Sequence, residues 1–414
     1  MTASVASPRA SWRQTFAALR YPNYRLWFAG QLVSLVGSWM QTTAQGYLVY
    51  ELTGSPAFLG YVGFANGLPS WLFMLYGGVI ADRVSRRTLM VITQSAMMLM
   101  AFILAGLVFF GQIQPWHIIL IAFGLGIANA FDAPARQAFV VELVDRKELT
   151  NAIALNSTMF NSAIVVGPAV AGIVYAAFGP ALCFAINGLS FVAVIVALLM
   201  MRLEPVAIAA SASRSTLIAL KEGIHYAYSD KMTRTLILNL GVIALFGVSM
   251  MTLVPAWAVD VLGGDVRTNG LLLSARGLGA LIGALMIAAL SHRGVRGRLW
   301  TIGSFTLPLT MIVFSAARWV PASMLILVMV GWSFMVQVNT SNAMVQSRVP
   351  DELRGRVMSV FSLIFFGGMP LGSLLVGSLA SQVGAPQTLV INACLLLAFA
   401  GFVALRLPFI REMK

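Results

Sequence analysis

Charge is scarce in this sequence. Only 10% of its 414 residues are Asp, Glu, Lys or Arg, while 59% are Ala, Val, Ile, Leu, Met, Phe, Trp, Tyr or Cys. An ordinary soluble domain carries about 25% charged residues. A water-soluble chain of this length would need far more polar surface, so the sequence reads as an integral membrane protein, and disorder and fibrous repeats are excluded. Cysteine is scarcer still. Cys183 and Cys394 both lie in apolar runs, which leaves no disulfide framework and no metal-ligand spacing. His117, His225 and His292 are the only histidines and are scattered, so neither a metal nor a cofactor is expected. A GxxxxGK[ST] phosphate loop is absent, which argues against a nucleotide-driven pump. The first twenty residues lack an apolar core followed by a small-residue cleavage site, so no signal peptide is expected.

What the sequence has is long apolar runs. A hydrocarbon core ~30 Å thick needs about 20 residues of helix. Runs of that kind predict twelve membrane helices, at 24–51, 57–80, 88–111, 115–142, 149–178, 180–202, 233–262, 267–291, 298–317, 321–349, 354–382 and 385–407. A β-barrel would alternate apolar and polar residues, whereas Phe191 to Met201 is apolar throughout. The expected fold class is all-α membrane protein. Of the 27 Lys and Arg, 24 fall at one set of helix ends; only Arg267 and Arg318 fall at the other, with Arg276 inside a helix. By the positive-inside rule both termini lie in the cytoplasm of a multi-pass cell-membrane protein. The formal charge of +13 then faces anionic lipid rather than nucleic acid.

The halves repeat. Ser157, Phe160, Gly167, Gly172, Gly179 and Asn187 recur 205 positions later as Ser362, Phe365, Gly372, Gly377, Gly384 and Asn392. A six-plus-six duplication gives two six-helix bundles related by a pseudo-two-fold axis, 1–202 and 233–414, joined by a cytoplasmic linker at 203–232. Within the linker, Leu217, Leu220, Ile224 and Tyr228 recur at helical spacing, consistent with an amphipathic interfacial helix or with a plain connector. Parallel repeats place a substrate path between the halves, near the midplane.

Two stretches carry sharper signals. The first is Gly78-Val-Ile-Ala-Asp82-Arg83-Val-Ser85-Arg86-Arg87, in which Gly78 would let the second helix approach a neighbour and Asp82 could accept charge-assisted hydrogen bonds. The second is Asp132-Ala-Pro134-Ala-Arg136-Gln137, followed by Gly167-Pro168 and Gly172, with a counterpart in Asp351-Glu352-Leu-Arg354-Gly355-Arg356. The first motif resembles the loop 2–3 signature of the major facilitator superfamily, with Ser85 where glycine is usual. Together they resemble the branch that includes the enterobactin exporter and the drug and macrolide efflux proteins. Ile164 stands where that branch commonly has arginine, and the Arg-x-x-Gln-Gly motif of drug antiporters is absent.

The resemblance implies a secondary transporter, not an enzyme. It would work by alternating access and export amphipathic small molecules, of drug or siderophore type, by proton antiport. Uptake symport and passive facilitation stay open, and a membrane-embedded enzyme is disfavoured. A monomer is expected, with protons, lipid and a small molecule as partners. Gly78, Asp82, Arg83, Arg86, Arg87, Asp132, Arg136, Asp351, Arg354 and Arg356 are the candidate gate. Helices 1, 4, 7 and 10 line the cavity in that family. Helix 1 has a polar face through Gln31, Ser34, Ser38, Gln41, Thr42 and Gln45; Gln31, Ser38, Gln41 and Gln45 of that face, with Asn239, Arg276, Gln337, Asn339 and Asn342, are therefore the candidate cavity lining, and a polar seam between helices is the alternative. Arg276 needs a partner or water inside the membrane, and Glu51 and Asp260 are candidates. Glu51, Asp132 and Asp260 are the carboxylates that could carry protons, although a salt bridge to Arg83 or Arg136 that latches one conformation is the preferred reading of Asp132. Gly167, Pro168, Gly172, Pro370 and Gly372 could bend helices 5 and 11, or simply allow close packing.

Overall fold

Proline and glycine punctuate the chain. Pro22, Pro56, Pro115 and Pro180 stand in the first turn of their helices, where the missing N–H has no intrahelical partner to lose. Gly54, Gly179 and Gly384 close helices at φ 60°, 82° and 88°, a left-handed backbone that a Cβ disfavours.

The computed structural model describes residues 16–203, 216–290 and 295–406, apart from the side chains at 74, 75, 79, 82 and 216–219. The long helices are α1 (Pro22–Thr53), α2 (Pro56–Arg83), α3 (Arg86–Phe109), α4 (Pro115–Phe139), α5 (Leu149–Phe178), α6 (Pro180–Met200), α7 (Lys231–Val261), α8 (Val266–Leu290), α9 (Arg296–Ala316), α10 (Val320–Arg348), α11 (Asp351–Val383) and α12 (Ala385–Arg406). A linker helix, Thr216–Ser229, precedes α7. No strand occurs among the described residues. Arg9, Arg13, His292, Arg293, Arg214, Arg411, Lys414 and the middle of the expected linker lie outside the described residues, as do the side chains of Asp82 and Leu217.

By length and composition, α3 to α12 are apolar enough to cross a bilayer. α1 and α2 have the length, 32 and 28 residues. Part of the length of α1 goes to the buried polar residues Gln31, Ser34, Gln41, Thr43 and Gln45, which hydropathy counts against a span although neighbouring helices cover them.

The helices form two six-helix bundles of matching design. In the first, α2 packs on α4, α3 on α6 and α1 on α5 and α6; in the second, α8 packs on α10 and α9 on α10 and α12. The bundles meet along two seams, α2 with α11 and α5 with α8. The residues repeated at 205 make equivalent contacts. A Cβ on Gly167 of α5 would strike Trp39 of α1, and one on Gly372 of α11 would strike the Leu245 carbonyl of α7. A Cβ on Gly172 would lie 3.0 Å from Arg267 Cα across one seam, and Gly377 meets Gly60 across the other. Close packing is therefore the demonstrated use of Gly167, Gly172 and Gly372; Pro168 and Pro370 stand inside helices beside them.

Two features depart from the expectations. α7 is not a uniform helix. It passes through π-helical segments at Ile243–Gly247 and Trp257–Val261 and a 3₁₀ segment at Val248–Leu253, with Pro255 removing a donor between them. The described part of the linker, Thr216–Ser229, is helical and packs on α11 rather than standing apart, with Glu222 paired to Arg356, while Ile224 and Tyr228 stay exposed.

Apolar clusters locate the core. At the ends where the basic residues gather (the basic end), one cluster around Trp27, Phe139 and Leu198 belongs to the first bundle and another around Leu236, Trp300 and Phe361 to the second. At the opposite, distal end, one cluster mixes both: Met40, Ala44, Leu48 and Tyr50 of α1 pack in it with Ala256 and Val266. The bundles share a core at the distal end and keep separate cores at the basic end.

Candidate functional site

Below the shared distal core lies a cavity of about 260 Å³. α1 contributes Trp39, Thr42, Thr43, Gln45 and Gly46; α2 contributes Leu59, Val62, Gly63 and Asn66. Leu125 comes from α4, Ile164 and Pro168 from α5, Met251, Thr252 and Pro255 from α7, and Leu273 and Arg276 from α8. The α7 residues come from the stretch where that helix departs from α geometry. The lining thus draws on α1, α4 and α7 as expected, and on α2, α5 and α8 rather than α10.

Of the nine residues expected in the cavity, Gln45 and Arg276 line it. The other seven are not among its lining residues. Gln41 accepts from Asn187 Nδ2 at 2.7 Å, within the first bundle. Asn239 Nδ2 donates to Gln337 Oε1 at 2.8 Å, within the second. Gln31 is buried, Ser38 gives its carbonyl to Thr42 Oγ1, and Asn342 accepts from Gln346 at 2.6 Å. Asn339 is half-buried on α10, which contributes no wall. The polar face of α1 is therefore divided: Thr42, Thr43 and Gln45 line the cavity, Gln41 sits in a seam with α6, and Gln31 and Ser34 are buried. Helical spacing identifies a polar face but not what that face meets.

Arg276 sits about 15 Å along α8 from Val266 at ~1.5 Å per residue. Its guanidinium lies over the Phe334 ring, 5.4 Å from the centroid. The expected partners are engaged elsewhere: Tyr50 donates to Asp260, and Tyr175 donates to Glu51. Sequence alone gave no hint of these tyrosine–carboxylate pairs, because the residues are 210 and 124 positions apart.

Asp132 is not a rim charge. It is 1% exposed, and its Oδ1 accepts from Thr93 Oγ1 at 2.9 Å and Gln94 Nε2 at 3.0 Å. Arg136 Nε is 3.9 Å away, so the buried carboxylate is held chiefly by hydrogen bonds from α3. Thr93 and Gln94 were missed because they look like ordinary polar residues in an apolar helix.

Of the ion pairs described at the basic end, Arg86 with Glu142 at 2.6 Å lies within the first bundle and Arg354 with Asp351 within α11, while Arg348 with Asp230 at 3.0 Å and Arg356 with Glu222 tie the linker to the second bundle. Arg87 donates to the Leu199 carbonyl at 2.7 Å, covering the end of α6. Arg83 is exposed. Ser85 accepts from Thr88 N at 3.5 Å and caps α3, a job glycine would do less well. Gly78 is corrected as well: a Cβ there would meet nothing within 4 Å, whereas one on Gly77 would run into the Ala130 carbonyl of α4.

Among the described residues, no group of three or more His, Cys, Asp or Glu could hold a metal ion. The arrangement offers a partly polar, partly apolar cavity between two bundles, suited to enclosing a small molecule.

Comparison with known proteins agrees with this geometry. The chain is 28% identical over 409 residues to the multidrug efflux pump Tap of Mycobacterium tuberculosis, covering 95% of each chain. It is 25% identical to the staphyloferrin A transporter of Staphylococcus aureus, covering 88% of this chain and 91% of that one. It is 24% identical to macrolide efflux protein A of Streptococcus pyogenes, covering 95% and 98%. Among solved structures, the fold matches the nucleoside transporter NupG with a TM-score of 0.72 at 14% identity, over 92% of this chain and 98% of that one. A bacterial homologue of the lysosomal transporter Spinster, inward-facing and unoccupied, matches with a TM-score of 0.75 at 14% identity, over 95% and 97%. The family described as transmembrane secretion effector matches residues 13–414, and the chain belongs to that family, a branch of the major facilitator transporters, as a multi-pass membrane transporter.

Proposed function

We propose that the protein exports amphipathic small molecules across the cell membrane by alternating access, as a monomer, driven by proton antiport, with its basic end and both termini in the cytoplasm. The observation that carries this reading is the position of the cavity. It lies between the bundles, under a core that both share at the distal end, while each bundle keeps its own core at the basic end. That is the shape of a carrier closed on one side. The relatives are named for transport of a siderophore and for efflux of multiple drugs and of macrolides, which supports export of amphipathic small molecules.

In the outward-facing state the rim charges Asp82, Arg83, Arg86, Arg136, Asp351, Arg354 and Arg356 would meet across the basic end. Of the candidate proton carriers, Asp260 is the one whose hydrogen bond crosses between bundles; Glu51 and Asp132 are bonded within the first. A proton on Asp260 would therefore act on closure directly.

The test is efflux of a substrate panel from proteoliposomes with an imposed pH gradient. Efflux that stops when an uncoupler collapses the gradient is expected. Efflux that continues unchanged points to a passive facilitator. Asp82→Asn is expected to abolish efflux while leaving membrane insertion intact, and full flux from an inserted variant counts against the gate role.

A further inference from the structure

We propose that the cavity selects amphipathic anions and that Arg276 is the residue that recognises the anionic group; this rests on the transport reading above and names its substrate class. Among the described residues, the cavity lining contains one cation and no carboxylate. Its other polar groups are neutral: the hydroxyls of Thr42, Thr43 and Thr252 and the amides of Gln45 and Asn66.

A guanidinium this deep in a membrane protein ordinarily has an acid beside it, because a buried charge is costly unless it is paired or wet. The carboxylates that could have served are bonded to others. Glu51 is taken by Tyr175, Asp260 by Tyr50, and Asp132 by Thr93 and Gln94. Among the described residues, the contact Arg276 makes with its charged group is the face of Phe334, 5.4 Å from the ring centroid. A ring face stabilises the cation but accepts none of the five in-plane N–H donors. Those donors stand at a cavity wall, and they form a planar fork whose geometry fits a carboxylate through two parallel hydrogen bonds.

The same charge repels a cationic ligand, at short range and through a medium of low dielectric. The cavity wall also carries apolar side chains, among them Trp39, Leu59, Val62 and Met251. The preferred molecule has one carboxylate for Arg276 and an aromatic or aliphatic body for that wall.

The test uses three probes of matched size on the full-length protein in detergent and in proteoliposomes: dansylglycine (anionic), dansylglycinamide (neutral) and a dansylamide bearing a trimethylammonium group. Binding is read as energy transfer from tryptophan to the dansyl group. The wild type is expected to bind and move dansylglycine about tenfold better than the neutral probe, the size of one charge-assisted hydrogen bond, and to reject the cation. Arg276→Gln is expected to erase the preference, and Arg276→Lys, which keeps the charge but loses the planar fork, to keep part of it and still reject the cation. Equal or better binding of the neutral or cationic probe by the wild type, or an intact preference in Arg276→Gln, overturns the proposal while leaving the transporter reading standing. Failure to bind or move any of the three probes overturns both. Should Arg276→Gln not fold, the wild-type series and Arg276→Lys decide the matter.

Discussion

Tyr50 donates its phenolic hydrogen to the Asp260 carboxylate, which ties α1 of the first bundle to α7 of the second at the distal end. Tyr175 makes the same kind of bond to Glu51, but both of those residues belong to the first bundle. The two pairs share their chemistry and differ in what they join.

Removing the crossing bond is expected to loosen the distal closure. A hydrogen bond to a charged group is worth about 1.5–3 kcal/mol when buried and less when exposed, and Asp260 and Glu51 are exposed. Tyr50→Phe should speed labelling of a Thr42→Cys reporter by a membrane-impermeant maleimide from the distal side about three- to fivefold. Tyr175→Phe should leave that rate unchanged. Equal effects from both would mean that the crossing bond has no special part in closure.

Repeated residues need not carry equal loads. Asn187 Nδ2 donates to Gln41 and its Oδ1 accepts from Ser190 at 3.0 Å. Its counterpart Asn392 is buried with Nδ2 unpartnered among the described residues, and the residue 205 positions after Gln41 is Phe246. Asn187→Leu strands Gln41 and is expected to cost about 1–3 kcal/mol. Asn392→Leu removes a buried amide nitrogen left unpartnered among the described residues and is expected to be neutral or mildly stabilising. Thermal unfolding in detergent measures both.

Two adjacent glycines should behave oppositely. Gly77→Ala drives a Cβ into the Ala130 backbone, where nothing flexible can give, while Gly78→Ala meets open space. Expression and monodispersity should fall sharply for the first and hold for the second. A transport defect in well-folded Gly78→Ala would assign that glycine to a state other than this one.

Asp230 lies outside the spans, just before α7, and gives a pH signature. Burial pushes its carboxyl upward, but Arg348 and the N–H and hydroxyl of Thr233 outweigh that and hold it below the ordinary carboxylate range. A folded-state value below the unfolded one contributes stability above about pH 4 and loses it as pH falls through the folded value. Arg348→Gln should therefore lower the melting temperature slightly at pH 7, with an effect of about 1 kcal/mol or less for a solvent-exposed pair. The gap from wild type should narrow as pH falls below about 4 and close once the carboxyl is protonated in the folded protein. A gap that persists in acid would show that the arginine acts through packing.

Much of the scaffold was legible in the residues. Apolar runs and Pro/Gly punctuation placed α1 to α12 within a few residues, and the 205-residue repeat anticipated the paired glycine contacts of α5 and α11. The candidate site was less legible. Gln45 and Arg276 were found in the cavity, but Gln41, Asn239 and Gln337 turned inward to neighbouring helices, and Asn66 and Thr252 went unnoticed. Each helix residue advances the side chain by about 100°, so a small rotation of the rod exchanges cavity for seam.

Sequence by itself determined the rods: their lengths, their apolar character and the gathering of cations at one set of ends, because these depend on composition along the chain and on the requirement that a backbone in lipid bond to itself. Tertiary structure decided the rotation of each rod, the break in α7, the burial of Asp132 and the isolation of Arg276 at the cavity wall. These depend on contacts between residues a hundred or more positions apart, and shape complementarity between helices, not local pattern, sets them.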